Sequence, residues 1–222
     1  MRASLLLLLT LFGCVNIERS YPDKHYFTLE VSGDEDPPTQ TGSGVLEVSG
    51  LGVSRRYEGQ SFVYRISEAG YESDFYNQFL IAPASLISEE VRHGLTRAAI
   101  FEHVINSSSE LQPTYRLEGT VNALYGDFRN LGAPKAILEI QFFLTTQAAG
   151  QSRILMDKQY SKAVPLSGRT PEALVKGWDE ALGAILTLLI ADIKSAQLKA
   201  TSMSAALPDE RGRDTSGGEA SR

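Results

Sequence analysis

The chain has very little cysteine and no concentration of positive charge. Cys14 is the only cysteine among 222 residues, so an intramolecular disulfide and a cysteine-based metal site are both excluded. The formal net charge is −6 and no run of Lys and Arg stands out, which argues against a nucleic-acid-binding surface. With 42% hydrophobic and 22% charged residues, the composition is that of a globular domain with a substantial core.

The common catalytic and metal-binding motifs are also missing. The sequence contains no His-Glu-x-x-His, no Gly-x-Ser-x-Gly and no Gly-x-x-x-x-Gly-Lys. His93 and His103 are expected on one helix, where a ten-residue separation would turn them to different faces. An acidic run at 34–36 lacks the spacing of a calcium loop and indicates a solvated segment. We therefore expect no metal, no cofactor and no enzymatic activity, although a lipoprotein enzyme is retained as one rival hypothesis.

The N-terminal segment has the order of a secretion signal. A positive residue at Arg2 is followed by an apolar run at 3–11, and Gly13 directly precedes Cys14. The run is shorter than the roughly 20 apolar residues that span a bilayer, and no second stretch is expected to span one. The cysteine at the cleavage point resembles the lipobox of bacterial lipoproteins, which implies cleavage after residue 13 and acylation of Cys14. The alternative is an ordinary signal peptide with an incidental cysteine.

The hydrophobic pattern predicts one layered α+β domain in the order strands, helix, strands, helix. A mostly antiparallel or mixed sheet should carry two main helices, with the last three strands forming a meander. Thr170 and Pro171 have the residue types of a helix start. Strands are predicted at 25–31, 45–48, 62–66, 71–76, 115–128, 136–144 and 154–164, and helices at 83–105 and 170–198. The predicted divisions are a signal peptide at 1–13, a tether at 14–24, the folded domain at 25–199 and a disordered tail at 200–222.

Aromatic residues crowd into the predicted hairpin. Because alternate residues of a strand face opposite sides, both faces of this hairpin carry aromatic side chains. Two interpretations remain open: both faces are packed in the fold, or one face is a docking surface for protein or lipid. The candidate docking or oligomer contacts are Phe62, Tyr64, Tyr71, Phe75, Tyr76 and Phe79.

Several of these segments, in their order, resemble one family. The segments are His-Tyr-Phe-Thr-Leu at 25–29, Val-Leu-Glu-Val at 45–48, Phe-Val-Tyr-Arg at 62–65, the aromatic stretch 71–79 before Pro83, and Tyr-Arg-Leu-Glu-Gly at 115–119. Together with the lipobox they resemble the ABC-type transport auxiliary lipoproteins, over about residues 26–194. The family comprises the outer-membrane lipoprotein components of MCE-type lipid transport systems.

The resemblance implies a non-catalytic role in moving lipids or hydrophobic molecules across the cell envelope. It implies an outer-membrane anchor at Cys14, with Val15 after it rather than the Asp that retains lipoproteins at the inner membrane, and a domain facing the periplasm. The implied partners are an MCE-domain protein, an ABC permease with its ATPase, and further copies of the chain in a ring. The rival of another class is an envelope assembly lipoprotein that binds an outer-membrane protein or lipopolysaccharide without a transporter.

Overall fold

A computed structural model describes residues 23–32, 42–148 and 151–205 of the chain. The predicted signal peptide, the lipidation site Cys14 and nearly all of the tether lie outside the described residues. Most of the predicted loop at 32–44 and the tail beyond residue 205 also lie outside them.

The described residues form strands, a helix, more strands and a final helix, in the predicted order. The strands are β1 His25–Phe27, β2 Val45–Val48, β3 Gly52–Val53, β4 Ser61–Arg65, β5 Tyr71–Phe79, β6 His103–Asn106, β7 Tyr115–Asp127, β8 Lys135–Ala148 and β9 Gln151–Pro165. The helices are α1 Pro83–Arg97 and α2 Pro171–Ala205, with a short 3-10 turn at Arg55–Tyr57.

Within the described residues, nine strands form one mixed sheet organised around β7. β8 pairs antiparallel along the whole length of β7, and β9 pairs antiparallel with β8. On its other edge, β7 pairs in succession with β2, β3 and β4, all parallel. β5 then pairs antiparallel with β4, β1 pairs parallel with β5, and β6 pairs parallel with β2. The predicted mixed sheet, hairpin and meander are confirmed.

Helix α2 supplies much of the core. The Thr170 hydroxyl oxygen accepts a hydrogen bond of 3.2 Å from the amide of Ala173 and caps the helix. An apolar stripe faces β8 and β9, and the indole of Trp178 donates a hydrogen bond of 3.3 Å to the carbonyl of Ile137. The helix continues to Ala205, past its predicted end near Leu198. Fully buried members of the stripe are Leu174, Trp178, Ala181, Leu182, Ile185, Leu189 and Ile193.

The segment Pro171–Lys199 of α2 is long and apolar enough to cross a membrane, and an 18-residue stretch within it has a mean hydropathy of 1.5. No second stretch of this kind was expected from the sequence. Length and composition do not distinguish a membrane span from the core helix of a soluble domain. Here the apolar stripe of the helix packs against the sheet, so we describe α2 as a core helix.

Helix α1 is shorter than predicted. It ends at Arg97, and Ala99 adopts a left-handed conformation with φ of 47°, which breaks the helical path. The amide of Gly42 donates a hydrogen bond of 2.7 Å to the carbonyl of Ala99. His103, expected on this helix, instead begins β6, which pairs with β2. The prediction of a helix to residue 105 was wrong because this pairing joins segments far apart in the sequence.

Strand β1 ends at Phe27 instead of continuing to Val31, because the helices bind the following backbone. The amide of Glu30 donates to Oδ1 of Asp179 at 3.0 Å, and the amide of Val31 donates to Oε2 of Glu90 at 2.8 Å. These carboxylates come from α2 and α1 respectively. The segment after β1 is therefore fastened to both helices rather than to the sheet.

Candidate docking surface

The six aromatic residues predicted as docking contacts divide into core and surface groups. Phe62 and Phe79 are 0% and 2% exposed. Their rings contact each other at 4.7 Å between centroids, and Phe62 meets Trp178 edge-on at 5.1 Å. Because their side chains are enclosed by the core, neither residue is available for docking in this fold. The interpretation that these aromatic positions are packed applies to these two residues.

Tyr64 is half-buried, and Tyr71 is 38% exposed. The Tyr64 ring stacks on Phe128 at 5.0 Å, and burial raises the pKa of its hydroxyl above the ordinary range. Tyr71 meets Tyr125 edge-on at 5.8 Å and lies under the Arg65 guanidinium. Tyr64 is therefore held within the domain, whereas Tyr71 remains part of the exposed surface.

Phe75 and Tyr76 are exposed because β5 bulges away from β4 at residues 74–77. Ser61 of β4 pairs with Gln78, whereas Val63 pairs with Ser73. Residues 74–77 of β5 therefore lie opposite a single residue of β4, and the extra residues are displaced from the ladder. Neighbouring residues in a regular strand face opposite sides, but here the two rings meet edge-on at 5.3 Å. Phe75 is 63% exposed and Tyr76 is 42% exposed.

The carboxylate of Asp74 holds this bulge in place. Its Oδ1 accepts hydrogen bonds from the backbone amides of Tyr76 and Asn77, at 2.8 and 3.0 Å. Its Oδ2 accepts from the Asn77 side-chain amide at 2.8 Å and from the Tyr64 hydroxyl at 2.7 Å. Partial burial opposes ionisation of Asp74, but the hydrogen bonds from Asn77 and Tyr64 outweigh it and lower the pKa of the carboxyl. The bulge is consequently a fixed feature with an ionised staple at neutral pH.

Strand β1 adds a third aromatic residue beside the bulge. Tyr26 pairs with Gln78 and is 55% exposed, whereas its neighbour Phe27 turns inward toward Phe62. We call Tyr26, Phe75 and Tyr76 the aromatic ridge. The sequence pattern did not single out Tyr26 as a contact residue. The alternation of an inward Phe27 with an outward Tyr26 was the signal that could have identified it.

The last tether residue, Lys24, lies directly on the ridge. Its Nζ is 4.5 Å from the centroid of the Phe75 ring, a cation–π distance, and 3.5 Å from Oε1 of Gln78. The chain that leads from the N-terminus therefore enters the domain against the ridge and then forms the edge strand β1.

A second cluster of ionisable side chains lies between the helices. Burial, together with the charges of Glu90 and Glu30, raises the pKa of Asp179 to about 6, although the hydrogen bond from the Glu30 amide opposes the shift. Because Asp179 and Glu90 each accept a backbone amide from the segment after β1, the geometry of this cluster is that of a structural clamp. Across the ranges that the structure describes, no group of three or more His, Cys, Asp or Glu side chains is placed to hold a metal ion.

Solved structures define the fold class. The crystal structure of protein XCC0632 from Xanthomonas campestris is similar with a TM-score of 0.69 and 15% identity, over 80% of this chain and 99% of that one. The crystal structure of an uncharacterized protein is similar with a TM-score of 0.61 and 14% identity, over 77% of this chain and 99% of that one. At these identities the similarity shows a shared fold, and the single α+β domain is confirmed.

Family membership follows from the sequence. The family model of the ABC-type transport auxiliary lipoprotein component matches residues 27–189, which include every strand after β1 and most of α2. The chain belongs to this family. It is thus an auxiliary lipoprotein of an ABC-type transport system, located at a membrane of the cell envelope. No protein of curated function matches the sequence.

Proposed function

We propose that this protein is the outer-membrane, periplasm-facing component of an MCE-type ABC system that moves lipids or other hydrophobic molecules across the envelope. The family match over residues 27–189 carries this proposal. In it, the domain has a non-catalytic docking or channel-end role, with an MCE-domain protein and an ABC permease and ATPase as partners. Further copies of the chain complete a homo-oligomeric ring.

The anchor of this assembly is a lipid on Cys14. Lys24 lies only ten positions after Cys14, and it contacts the ridge at Phe75. Phe75 and Tyr76, two exposed residues of the predicted contact set, lie beside this point of entry. This position supports an assembly in which one side of the domain is held at the outer membrane.

Two measurements on the full-length protein test this function. Metabolic labelling with a radioactive fatty acid should mark the wild type and leave Cys14→Ser unlabelled, and the labelled protein should fractionate with the outer membrane. Purification of the lipidated protein in mild detergent should recover an MCE-domain protein with its ABC permease. The Cys14→Ser variant is the matched control, since it retains the whole described domain.

Either measurement can contradict the proposal. Recovery of the protein alone, or with an outer-membrane barrel only, would favour the envelope assembly function instead. An unlabelled wild type would show that Cys14 is not an anchor.

A further inference from the structure

We propose that the aromatic ridge inserts into the headgroup region of the phospholipid leaflet that holds the lipid anchor. This inference rests on the proposed function in one respect, the acylation of Cys14. It adds a second membrane contact, made by Tyr26, Phe75 and Tyr76 of the folded domain itself.

The length of the tether brings the ridge to the membrane. Ten residues extend at most about 35 Å at 3.3–3.6 Å per residue, which is similar to the diameter of about 35–40 Å expected for a domain of this size. The tether does not end at an arbitrary point of the domain, because Lys24 packs on the Phe75 ring. An anchor at Cys14 therefore keeps the ridge within about 35 Å of the leaflet, which allows its side chains to reach the headgroups.

The side chains of the ridge have the chemistry of a membrane interface. Tyrosine is enriched at headgroup level because it joins an apolar ring to a polar hydroxyl, and the ridge holds two tyrosines beside an exposed phenylalanine. The Lys24 ammonium, which lies over the Phe75 ring, adds a positive charge that anionic lipid phosphates attract. The opposite edge strand, β9, instead exposes charged residues such as Asp157 and Lys158.

The ridge is too small for a stable protein interface by itself. Three aromatic side chains at the exposures found here present roughly 300–350 Å², whereas each partner of a standard interface contributes about 800 Å². A rigid aromatic bulge beside a lipid tether gains from shallow insertion, since the acyl chains already hold the domain at the surface. We therefore assign the leaflet, rather than a second copy or a protein partner, as the occupant.

Tryptophan fluorescence in proteoliposomes tests the assignment. Full-length acylated Phe75→Trp and Tyr26→Trp proteins are reconstituted with phosphatidylcholine or with phosphatidylcholine brominated on its acyl chains, which quenches nearby indoles. The native Trp178 is fully buried and supplies the wild-type background. Ile154→Trp is the matched control, because Ile154 is 62% exposed and lies on β9, at the other edge of the sheet.

We expect a loss of Phe75→Trp and Tyr26→Trp emission in the brominated bilayer, with no loss for Ile154→Trp beyond the wild-type background. Equal quenching at residues 75 and 154 would overturn the inference. A second result would also overturn the inference. If the emission of Phe75→Trp shifts in detergent without bilayers, on raising the protein concentration or on adding a partner, the ridge binds a protein instead. Failure of acylation would remove the proposed anchor and this inference together, whereas an acylated but unquenched protein overturns this inference alone.

Discussion

Tyr64 and Asp74 are joined across the β4–β5 hairpin by a hydrogen bond of 2.7 Å from the phenol to the carboxylate. The Tyr64 ring is stacked on Phe128, just beyond the end of β7. Asp74 in turn binds the backbone of the bulge that displays Phe75 and Tyr76. This side-chain pair is thus one of the connections between the exposed ridge and the body of the sheet, and it fixes the backbone that displays Phe75 and Tyr76.

Removing the Asp74 carboxylate should destabilise the bulge. We expect Asp74→Ala to lower the free energy of unfolding by about 2 kcal/mol, because four donors lose a charged acceptor. Tyr64→Phe removes a single donor and should cost about 1 kcal/mol. Urea unfolding of both variants measures the difference. An Asp74→Ala protein no less stable than Tyr64→Phe would show that the backbone holds the bulge without the staple.

The pH dependence of stability should reveal the Asp179 clamp. The pKa of this carboxyl is about 6 in the folded protein and about 4 when unfolded. Between these values the folded state binds the additional proton, so acidification from pH 7 to pH 4 favours folding at this site. Above pH 6 the folded state carries an ionised, partly buried group. Asp179→Asn keeps an acceptor for the Glu30 amide and removes that penalty, so it should be more stable at pH 7–8 by about 1 kcal/mol after allowance for solvent screening.

The check is urea unfolding of the wild type and Asp179→Asn at several pH values. The advantage of the variant should disappear as the pH approaches 4. Glu90→Gln removes the neighbouring charge that raises the pKa of Asp179 most. It should weaken the pH dependence without abolishing it, because burial of Asp179 remains. A stability difference that does not change between pH 4 and pH 8 would contradict this prediction.

Two glycines of α2 form a matched pair for testing how closely the helix approaches the sheet. A Cβ added at Gly177 would lie 2.8 Å from the Cβ of Ala136 on β8, whereas one added at Gly183 would lie 3.4 Å from Val31, an ordinary contact. We expect Gly177→Ala to destabilise the protein by about 2 kcal/mol through overpacking. Gly183→Ala should stabilise it by about 0.5–1 kcal/mol, because alanine is the better helix former. Thermal or urea unfolding of the two variants measures both changes in stability. A Gly177→Ala protein as stable as the wild type would mean that α2 can move away from β8.

Alanine substitutions within β5 should separate the core from the surface. Phe79→Ala empties a fully enclosed site beside Phe62 and Trp178 and should cost about 3–5 kcal/mol. Phe75→Ala removes an exposed ring and should change stability by no more than about 0.5 kcal/mol. Chemical unfolding provides both values. A large loss at Phe75 would indicate that the ridge is part of the folding core and not a docking surface.

Local sequence signals were sufficient for most of the elements. The Thr170-Pro171 helix start and the β4–β5 hairpin follow from signals in neighbouring residues, and both are confirmed. The end of α1 was not predictable in this way. Ala99, whose residue type gives no signal for a left-handed conformation, breaks the helix, and β6 exists because it pairs with β2, more than fifty residues earlier in the chain.

The candidate site was predictable only in part. Composition located the aromatic concentration, and strand alternation showed that both faces carry rings. The bulge at 74–77 interrupts that alternation. A regular two-residue period therefore could not predict that Phe75 and Tyr76 are both exposed while Phe79 is buried. Asp74 and Asn77 were local signs of an interruption, because aspartate and asparagine are depleted in regular strands.

Strand β7 makes the two halves of the domain inseparable. Residues before α1 contribute β2, β3 and β4 to one edge of β7, while β8, with β9 beyond it, occupies the other edge. A one-residue slip of β7 would exchange its buried and exposed faces against four neighbours at once. The domain consequently has no natural point of division between an early and a late folding unit. During synthesis, β2, β3 and β4 cannot all pair with β7 until residue 127 has been added to the chain.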